Sequence, residues 1–540
     1  VNRIENVNNE ALLIKTKLAD LVVRNIEQSA IVHRDAHGNG ESVLVRWNLP
    51  NMQRLASLGA PTASPMLVTY PFVGRHKPFR HQLLVCSFLT THKRAYCFAD
   101  MGTGKTLAIV HSVRYLVEVG EVSKVLVVAP LTTLQRTWVD EFFYVDPAMR
   151  VAKLHGTKQE RIQLAASGAV VDIINYDGVE LIFNELKANR YDCIIVDELT
   201  SYANHKTKKW KIAARLFQSA KYLWGLTGTP LLRGSEAAYG MAKLINPVNC
   251  KFRSFYEFRN AIQRKGSGWV WIDRAEAHDV IYGMLSPAIR IKKSDCIDLP
   301  SVVHIYRETA LSDSQRAFYV ELKKHQIIQD EQMSVTAVNK AVLAGKLLQV
   351  AAGCLYDDNG QVLEFDISER LEQAYENIIR ARAEASTNLT GKTILFSPFK
   401  HTADYVARLL KEKKIYVDGR QRKLNVAVVD GEVSTKRRDK IFSDFQHTPD
   451  LDVIVAIPQT MSHGLTLTAA SCEVWFAPCS SSETYVQACN RVDRPGQKEN
   501  MTIVNLYGSP AEWQMYRNLR ENKHNQNVML DFYNDVVSSI

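Results

Sequence analysis

Residues 99–106, Ala-Asp-Met-Gly-Thr-Gly-Lys-Thr, have the make-up of a phosphate-binding loop. Gly102, Thr103 and Gly104 offer backbone N–H groups that can curl round a polyphosphate, Lys105 is long enough to reach its β and γ groups, and the Thr106 hydroxyl suits Mg²⁺. Ala99 stands where the usual pattern opens with glycine. Further along, Asp197-Glu198 closes the apolar run Cys193–Val196. There Asp197 can hold the Mg²⁺ shell while Glu198 orients and deprotonates an attacking water. Thr227-Gly228-Thr229-Pro230 closes another apolar run, with hydroxyls suited to sensing a γ phosphate. Near the far end, the stretch from Gln487 to Gln497 spaces Gln487, Arg491 and Arg494 for adjoining turns of one helical face. Arginines delivered from a second domain neutralise charge on a transferring phosphoryl group and make hydrolysis depend on domain closure. ATP and Mg²⁺ are the cofactors this set implies. Each group has a plainer reading too: a turn before a helix, a strand end capped by acids, a solvated basic face.

The elements that must carry these groups alternate. Short apolar runs at 95–98, 125–129, 171–175, 193–196 and 222–226 predict buried strands of a parallel sheet covered on both faces, with helices between them. The alternation resumes at 393–396, 426–429, 453–456, 474–476 and 503–506. Between the two series, about 312–385 reads as largely helical. Residues 1–70 begin with the amphipathic run Leu12–Leu18, then a hairpin-like Ala30–Gly40 leading into Val43–Trp47, which predicts a small α+β attachment. Pro61, Pro65 and Pro71 punctuate the passage out of it. The expected fold is therefore α/β with two parallel-sheet lobes, 71–295 and 296–515, the second carrying the helical insertion, followed by a helical tail at 516–540.

Composition agrees with a globular chain of several cores: 46% of the 540 residues are hydrophobic and 23% charged. The formal charge is +10, which makes a polyanion a reasonable partner. Nine scattered cysteines without a Cys-x-x-Cys pair suggest a reducing compartment and no zinc site. No apolar run is long enough to span a bilayer.

Taken in order, these segments resemble the superfamily 2 helicase-like ATPases of the Swi/Snf type. The resemblance runs across about residues 75–515. Phe79-Arg80-His81-Gln82 is similar to the motif upstream of the phosphate loop, and it implies that Gln82 reads adenine. Val127–Leu131 through Leu134, Trp138, Glu141 and Phe142 resembles the segment at the DNA edge of the first lobe. Further matches lie at 154–156, 174–177, 203–207 and 290–300, and in the second lobe at 394–397, 429–431, 438–445 and 464–470. The resemblance implies two RecA-like lobes, the helicase ATP-binding and C-terminal domains. Three departures stand out. Leu199-Thr200 follows the acid pair where the family usually has Ala or Gly then His. Ser462-His463-Gly464 replaces a more glycine-rich stretch, and Asp493 sits where histidine is usual.

A motor tracking on nucleic acid grips phosphates, because contacts to base edges would make the grip depend on sequence. By matched position Pro130, Thr132 and Thr133 in the first lobe and Gly464, Thr466 and Thr468 in the second fit that need. Basic clusters at 206–211, 420–423 and 436–440 are candidates to line the groove, or are solvated faces. The resemblance implies double-stranded DNA as the track, with remodelling or reannealing of branched DNA as a further expectation. Two alternatives stay open: a strand-separating DNA or RNA helicase, and a nucleotide-gated scaffold that binds nucleic acid without cycling. The compact chain suggests a bacterial or viral motor acting in the cytoplasm, with a nuclear setting also open. No protein partner is indicated.

Overall fold

In the computed structural model two units divide the chain, Val1–Ile297 and Asp298–Ile540. The structure describes residues 3–33, 41–60, 62–74, 76–231, 234–266, 271–296, 300–332, 337–356, 361–417, 420–461, 467–494 and 496–520. Gly464, Thr466 and residues 521–540 of the expected tail lie outside these.

The first unit is built on a seven-stranded sheet in which every neighbouring pair runs parallel. Its spatial order is Ala288–Ile291, Arg94–Ala99, Tyr222–Leu226, Cys193–Val196, Val125–Ala129, Val171–Asn175, Val151–Leu154. The apolar strands are covered on both sides, and the two-residue period of a strand sorts their side chains between two cores. Tyr96, Phe98, Leu126, Val128, Ile194, Val196 and Leu223 enter one core with the helix Ala237–Ile245. Ala95, Cys97, Val125, Val127, Cys193, Ile195 and Trp224 enter the other with the helices Arg80–Thr91 and Lys105–Glu118. The order sets three adjacent strand ends side by side. The phosphate loop follows Arg94–Ala99, Thr227 follows Tyr222–Leu226, and Asp197-Glu198 follows Cys193–Val196, at the carboxyl edge where open α/β sheets hold ligands.

The amino-terminal segment forms a four-stranded antiparallel sheet, Arg3–Val7, Ala11–Thr16, Glu41–Arg46 and Ser29–His33 in spatial order. The amphipathic run at Leu12 is a strand: burial alternates residue by residue, with Leu12 and Ile14 in the core. The helix Leu49–Ser57 fastens this sheet to the larger one, for Gln53 Nε2 donates to Thr90 O at 3.2 Å and to the Tyr222 hydroxyl at 2.6 Å.

The second unit repeats the plan with a six-stranded parallel sheet, ordered Val302–Glu308, Met501–Tyr507, Ala470–Trp475, Lys392–Phe396, Val453–Ala456, Val426–Val429. The strand expected at 474–476 begins earlier, at Ala470, because Ser471, Cys472 and Glu473 are buried despite their polarity. The helical region contains Asp313–Gln332, Ala337–Ala352 and Ser368–Ala383, with a hairpin of Cys354–Tyr356 and Val362–Glu364 between the last two helices.

Glu473 is fully buried, with the Cys489 thiol and the Trp475 indole beside its carboxyl. Burial pushes its pKa well above the carboxylate range, helped by the Asp493 charge. The folded chain therefore keeps a proton that the unfolded chain releases. That contribution to stability is complete below the ordinary Glu pKa and is lost as pH rises toward the folded value. Glu473→Gln should remove the loss. We expect its Tm at pH 8 to exceed that of the wild type by a few degrees, of order 1–3 kcal/mol, with the gap closing toward pH 4 in thermal melts.

Candidate active site

The helix Lys105–Glu118 starts at Gly104, whose φ of +71° is one that glycine adopts without strain. A Cβ there would also come within 2.1 Å of Gln82 Nε2 and would push that amide off the loop. Gln82 Nε2 donates to Thr103 O at 3.2 Å and to Gly104 O at 3.3 Å, while Oε1 accepts from Phe79 N at 2.8 Å. His81 Nε2 lies 2.8 Å from Thr103 O. The Nε2 end of the Gln82 amide thus braces the loop from behind while Oε1 caps the start of its own helix, contacts distinct from the adenine contact that the resemblance implies. From the sheet edge, Arg290 Nη2 lies 2.6 Å from Asp100 Oδ1, and Lys293 N donates to Asp100 Oδ2 at 3.0 Å. The loop runs straight into the start of the helix Lys105–Glu118, where free N–H groups suit an anion.

The acid pair sits on the second strand end from the loop. Lys105 Nζ is 4.0 Å from Glu198 Oε1, and Glu198 Oε2 accepts from Thr227 Oγ1 at 3.3 Å. Thr227 Oγ1 in turn accepts from Thr229 N at 3.2 Å. Three motifs distant in sequence therefore touch through two contacts. Glu198 has φ +48°, an uncommon backbone for a non-glycine residue and one that recurs at functional sites. Asp197 is 5% exposed; burial raises its pKa, with the Lys105 charge pulling the other way. A buried acid within reach of the Lys105 charge fits a divalent cation, which would offset the cost of burying the carboxylate. Leu199 and Thr200, the departure after the acid pair, are both buried, and Leu199 occupies the space against Gly225.

Trp138 was placed by sequence at the nucleic-acid edge, yet it is fully buried and its Nε1–H donates to Asp197 Oδ2 at 3.0 Å. It lies in a π-helical turn, Leu134–Val139, a geometry common where a side chain must be re-aimed. The Tyr176 hydroxyl donates to Asp197 O at 2.6 Å. Neither contact was legible from spacing; the Trp-x-x-Glu-Phe string at 138–142 was the available signal. Trp138→Phe keeps the ring and loses the donor. The apparent Mg²⁺ requirement for hydrolysis should rise about tenfold, with metal-free nucleotide affinity unchanged, as read from Mg²⁺ titrations of rate and from equilibrium binding.

In the second unit Gln487 lies on the helix Ser482–Cys489, buried, with Nε2 3.3 Å from Glu483 Oε1. The expected single helical face is corrected here. The helix ends at Cys489, so Arg491 and Arg494 occupy the turn beyond it, and the proline after Arg494 disfavours helix at that residue. Arg491 is 2% exposed. Arg494 Nε donates to Asn490 O at 3.0 Å, and desolvation lowers its pKa to about 10, leaving it charged at neutral pH.

Among the phosphate-gripping candidates, Thr132 is exposed, whereas Thr133 is buried with its hydroxyl donating to Pro130 O at 2.9 Å. Pro130 is buried too. Thr468 accepts from Gln446 Nε2 at 3.1 Å. Several of the basic side chains are already paired: Arg422 with Asp452, Lys423 with Glu412, and Lys208 with Glu180. Thr207 caps the helix Lys208–Phe217.

The loop 99–106, the Thr227 turn and the acid pair, with Asp197 buried and Glu198 at positive φ, stand at three successive strand ends on the carboxyl edge of a parallel sheet, where α/β proteins bind ligands. The SNF2-related domain matches residues 80–354, over half of the chain, and the helicase conserved C-terminal domain matches 371–496. The chain belongs to the SNF2-related family, the Swi2/Snf2-type helicase-like ATPases. It is 28% identical over 320 residues to protein p41 of the Acyrthosiphon pisum secondary endosymbiont phage 1, covering 56% of this chain and 69% of that one. It is 23% identical over 436 residues to the ATP-dependent DNA helicase DDM1 of Arabidopsis thaliana, covering 75% of this chain and 55% of that protein. A SWI/SNF-related matrix-associated actin-dependent regulator of chromatin subfamily A-like protein 1 from Xenopus laevis is 24% identical, with 75% and 39% covered. The chain therefore spans little more than half of the DDM1 length and less of the Xenopus protein. Among solved structures, a Sulfolobus solfataricus SWI2/SNF2 ATPase core in complex with dsDNA is 22% identical, covering 87% of this chain and 95% of that one, with a TM-score of 0.42. Among the described residues no helix is long and apolar enough to cross a membrane.

Proposed function

We propose that this chain is a nucleic-acid-stimulated ATPase that translocates on double-stranded DNA. The observation that carries the reading is the contact chain Lys105–Glu198–Thr227, which joins the phosphate loop, the acid pair and the Thr-Gly-Thr-Pro turn at one sheet edge. In this reading Gly102, Thr103, Gly104 and Lys105 hold the triphosphate, with Thr106 and Asp197 as the metal ligands and Gln82 near the base. Bound Mg²⁺ supplies charge neutralisation at the β and γ phosphates. Glu198 takes the proton of the attacking water through Oε1 or Oε2, and Lys105 holds the γ phosphate in line. Gln487, Arg491 and Arg494 complete the site from the second unit and stabilise charge on the departing phosphoryl group. Hydrolysis then requires closure of the units, and closure displaces the grip at Pro130, Thr132 and Thr133 relative to that at Gly464, Thr466 and Thr468.

The names of the relatives support DNA as the track: DDM1 is called an ATP-dependent DNA helicase. The test is the steady-state ATPase rate against duplex DNA, forked DNA, single strands and RNA over a range of salt. Strongest stimulation by duplex-containing DNA, weakening as salt rises, is expected for a phosphate grip. Preference for RNA or single strands would support an unwinding helicase instead, and nucleotide binding with negligible turnover on every substrate would support the scaffold.

A further inference from the structure

Between the helices Phe255–Ile262 and Ala277–Met284 the first unit carries a two-stranded hairpin, Gln263–Lys265 paired with Trp271–Asp273, that joins neither the parallel sheet nor the amino-terminal one. Strands of three residues do not hold themselves together in water. A polar lock does so here, with Ser235 and Gln263 buried and Asp273 exposed. Ser235 Oγ donates to Asp273 Oδ1 at 2.7 Å, and Gln263 Nε2 lies 2.8 Å from the same oxygen and 3.0 Å from Ser235 Oγ. Arg274 Nε closes the base on Asn260 O and Gln263 O.

The lock consumes the one acid on the hairpin strands and leaves its cations outward. Arg264 and Lys265 are exposed, and among the described residues neither has an acidic partner. This contrasts with Arg422, Lys423 and Lys208, whose charges are met within the fold. Beside them Trp271 is flanked by two cations, with Arg259 Cζ 4.1 Å from its ring centroid and Lys265 Nζ 5.9 Å away. Ser235 follows Thr227 by eight residues, and Thr227 touches Glu198, so hairpin and hydrolytic acid hang on the two ends of one connection.

We propose that the strand pair Gln263–Lys265 and Trp271–Asp273 is a phosphate-gripping arm for the sugar–phosphate backbone of duplex DNA, held by Arg264 and Lys265. Exposed cations with no acidic partner among the described residues match a repeating polyanion and carry no base-reading geometry. The inference rests on the DNA-motor reading and adds a contact to it. The experiment measures binding of a fluorescein-labelled 40-base-pair duplex by anisotropy at several salt concentrations, comparing wild type with Arg264→Ala/Lys265→Ala. Thermal melting of the variant confirms that these exposed substitutions leave the fold intact. The variant should bind more weakly, with a log K against log salt slope shallower by about 2, one unit for each lost phosphate contact. Wild-type affinity and slope in the variant would overturn the arm. So would loss of poly-glutamate binding with duplex binding retained, which would assign the surface to an acidic protein. If wild type itself shows no salt-dependent duplex binding, the DNA-motor reading fails, and that outcome is distinct from the other two.

Discussion

The Glu198→Gln variant should hydrolyse ATP about 100- to 10,000-fold more slowly than wild type, the range for loss of a positioned general base, while ATP affinity stays close to that of wild type. The amide is nearly isosteric and still accepts from Thr227, so the 3.3 Å contact survives. What is lost is a carboxylate able to take a proton from water. Lys105 also loses an anionic neighbour at 4.0 Å, which frees it for phosphate and should hold or tighten nucleotide binding. Single-turnover hydrolysis with equilibrium ATP binding separates the two effects. Hydrolysis at the wild-type rate would remove Glu198 from the chemistry.

Arg491→Ala should be comparably severe, with turnover falling about 1,000-fold or more, as expected for an arginine that neutralises charge only in the transition state. Because Arg491 is 2% exposed, truncation also risks the local fold. Arg491→Lys guards against that ambiguity. It keeps the charge and most of the packing but loses the planar fork, so a catalytic arginine is still impaired by the exchange. Melting curves matched to wild type, alongside depressed kcat and near-normal ATP affinity, are the expected pattern. A variant that melts early and binds ATP poorly would mark Arg491 as a structural residue.

The sequence made the local chemistry legible and hid the connections. Gly102 through Thr106 act within five residues, and Asp197-Glu198 ends a strand whose apolar run announces it, so each could be read from its neighbours. Strand positions at 125–129, 171–175, 193–196 and 222–226 were equally plain, because burial on both faces leaves continuous apolar runs. Val151–Leu154 and Ala288–Ile291 were harder to see: as edge strands they are only partly buried and mix in Lys153 and Arg290. Long-range contacts were invisible. Nothing near Trp138 indicates that its indole meets Asp197, and nothing near Arg290 indicates Asp100. The helical face proposed for Gln487, Arg491 and Arg494 erred for a local reason, since the spacing suits a helix that stops at Cys489. The hairpin at 263–273 escaped notice because three-residue strands leave no periodicity to detect.

The central claim is that groups of both units act on one triphosphate at the transition state. It is tested most directly by trapping ADP with aluminium fluoride and Mg²⁺, a mimic of the transferring phosphoryl group, on wild type and on Arg491→Lys. Tight trapping by wild type, lost in the variant while ADP alone binds both equally, is the predicted result. Equal trapping by both proteins would show that Arg491 takes no part at the transition state and would overturn its place in the site.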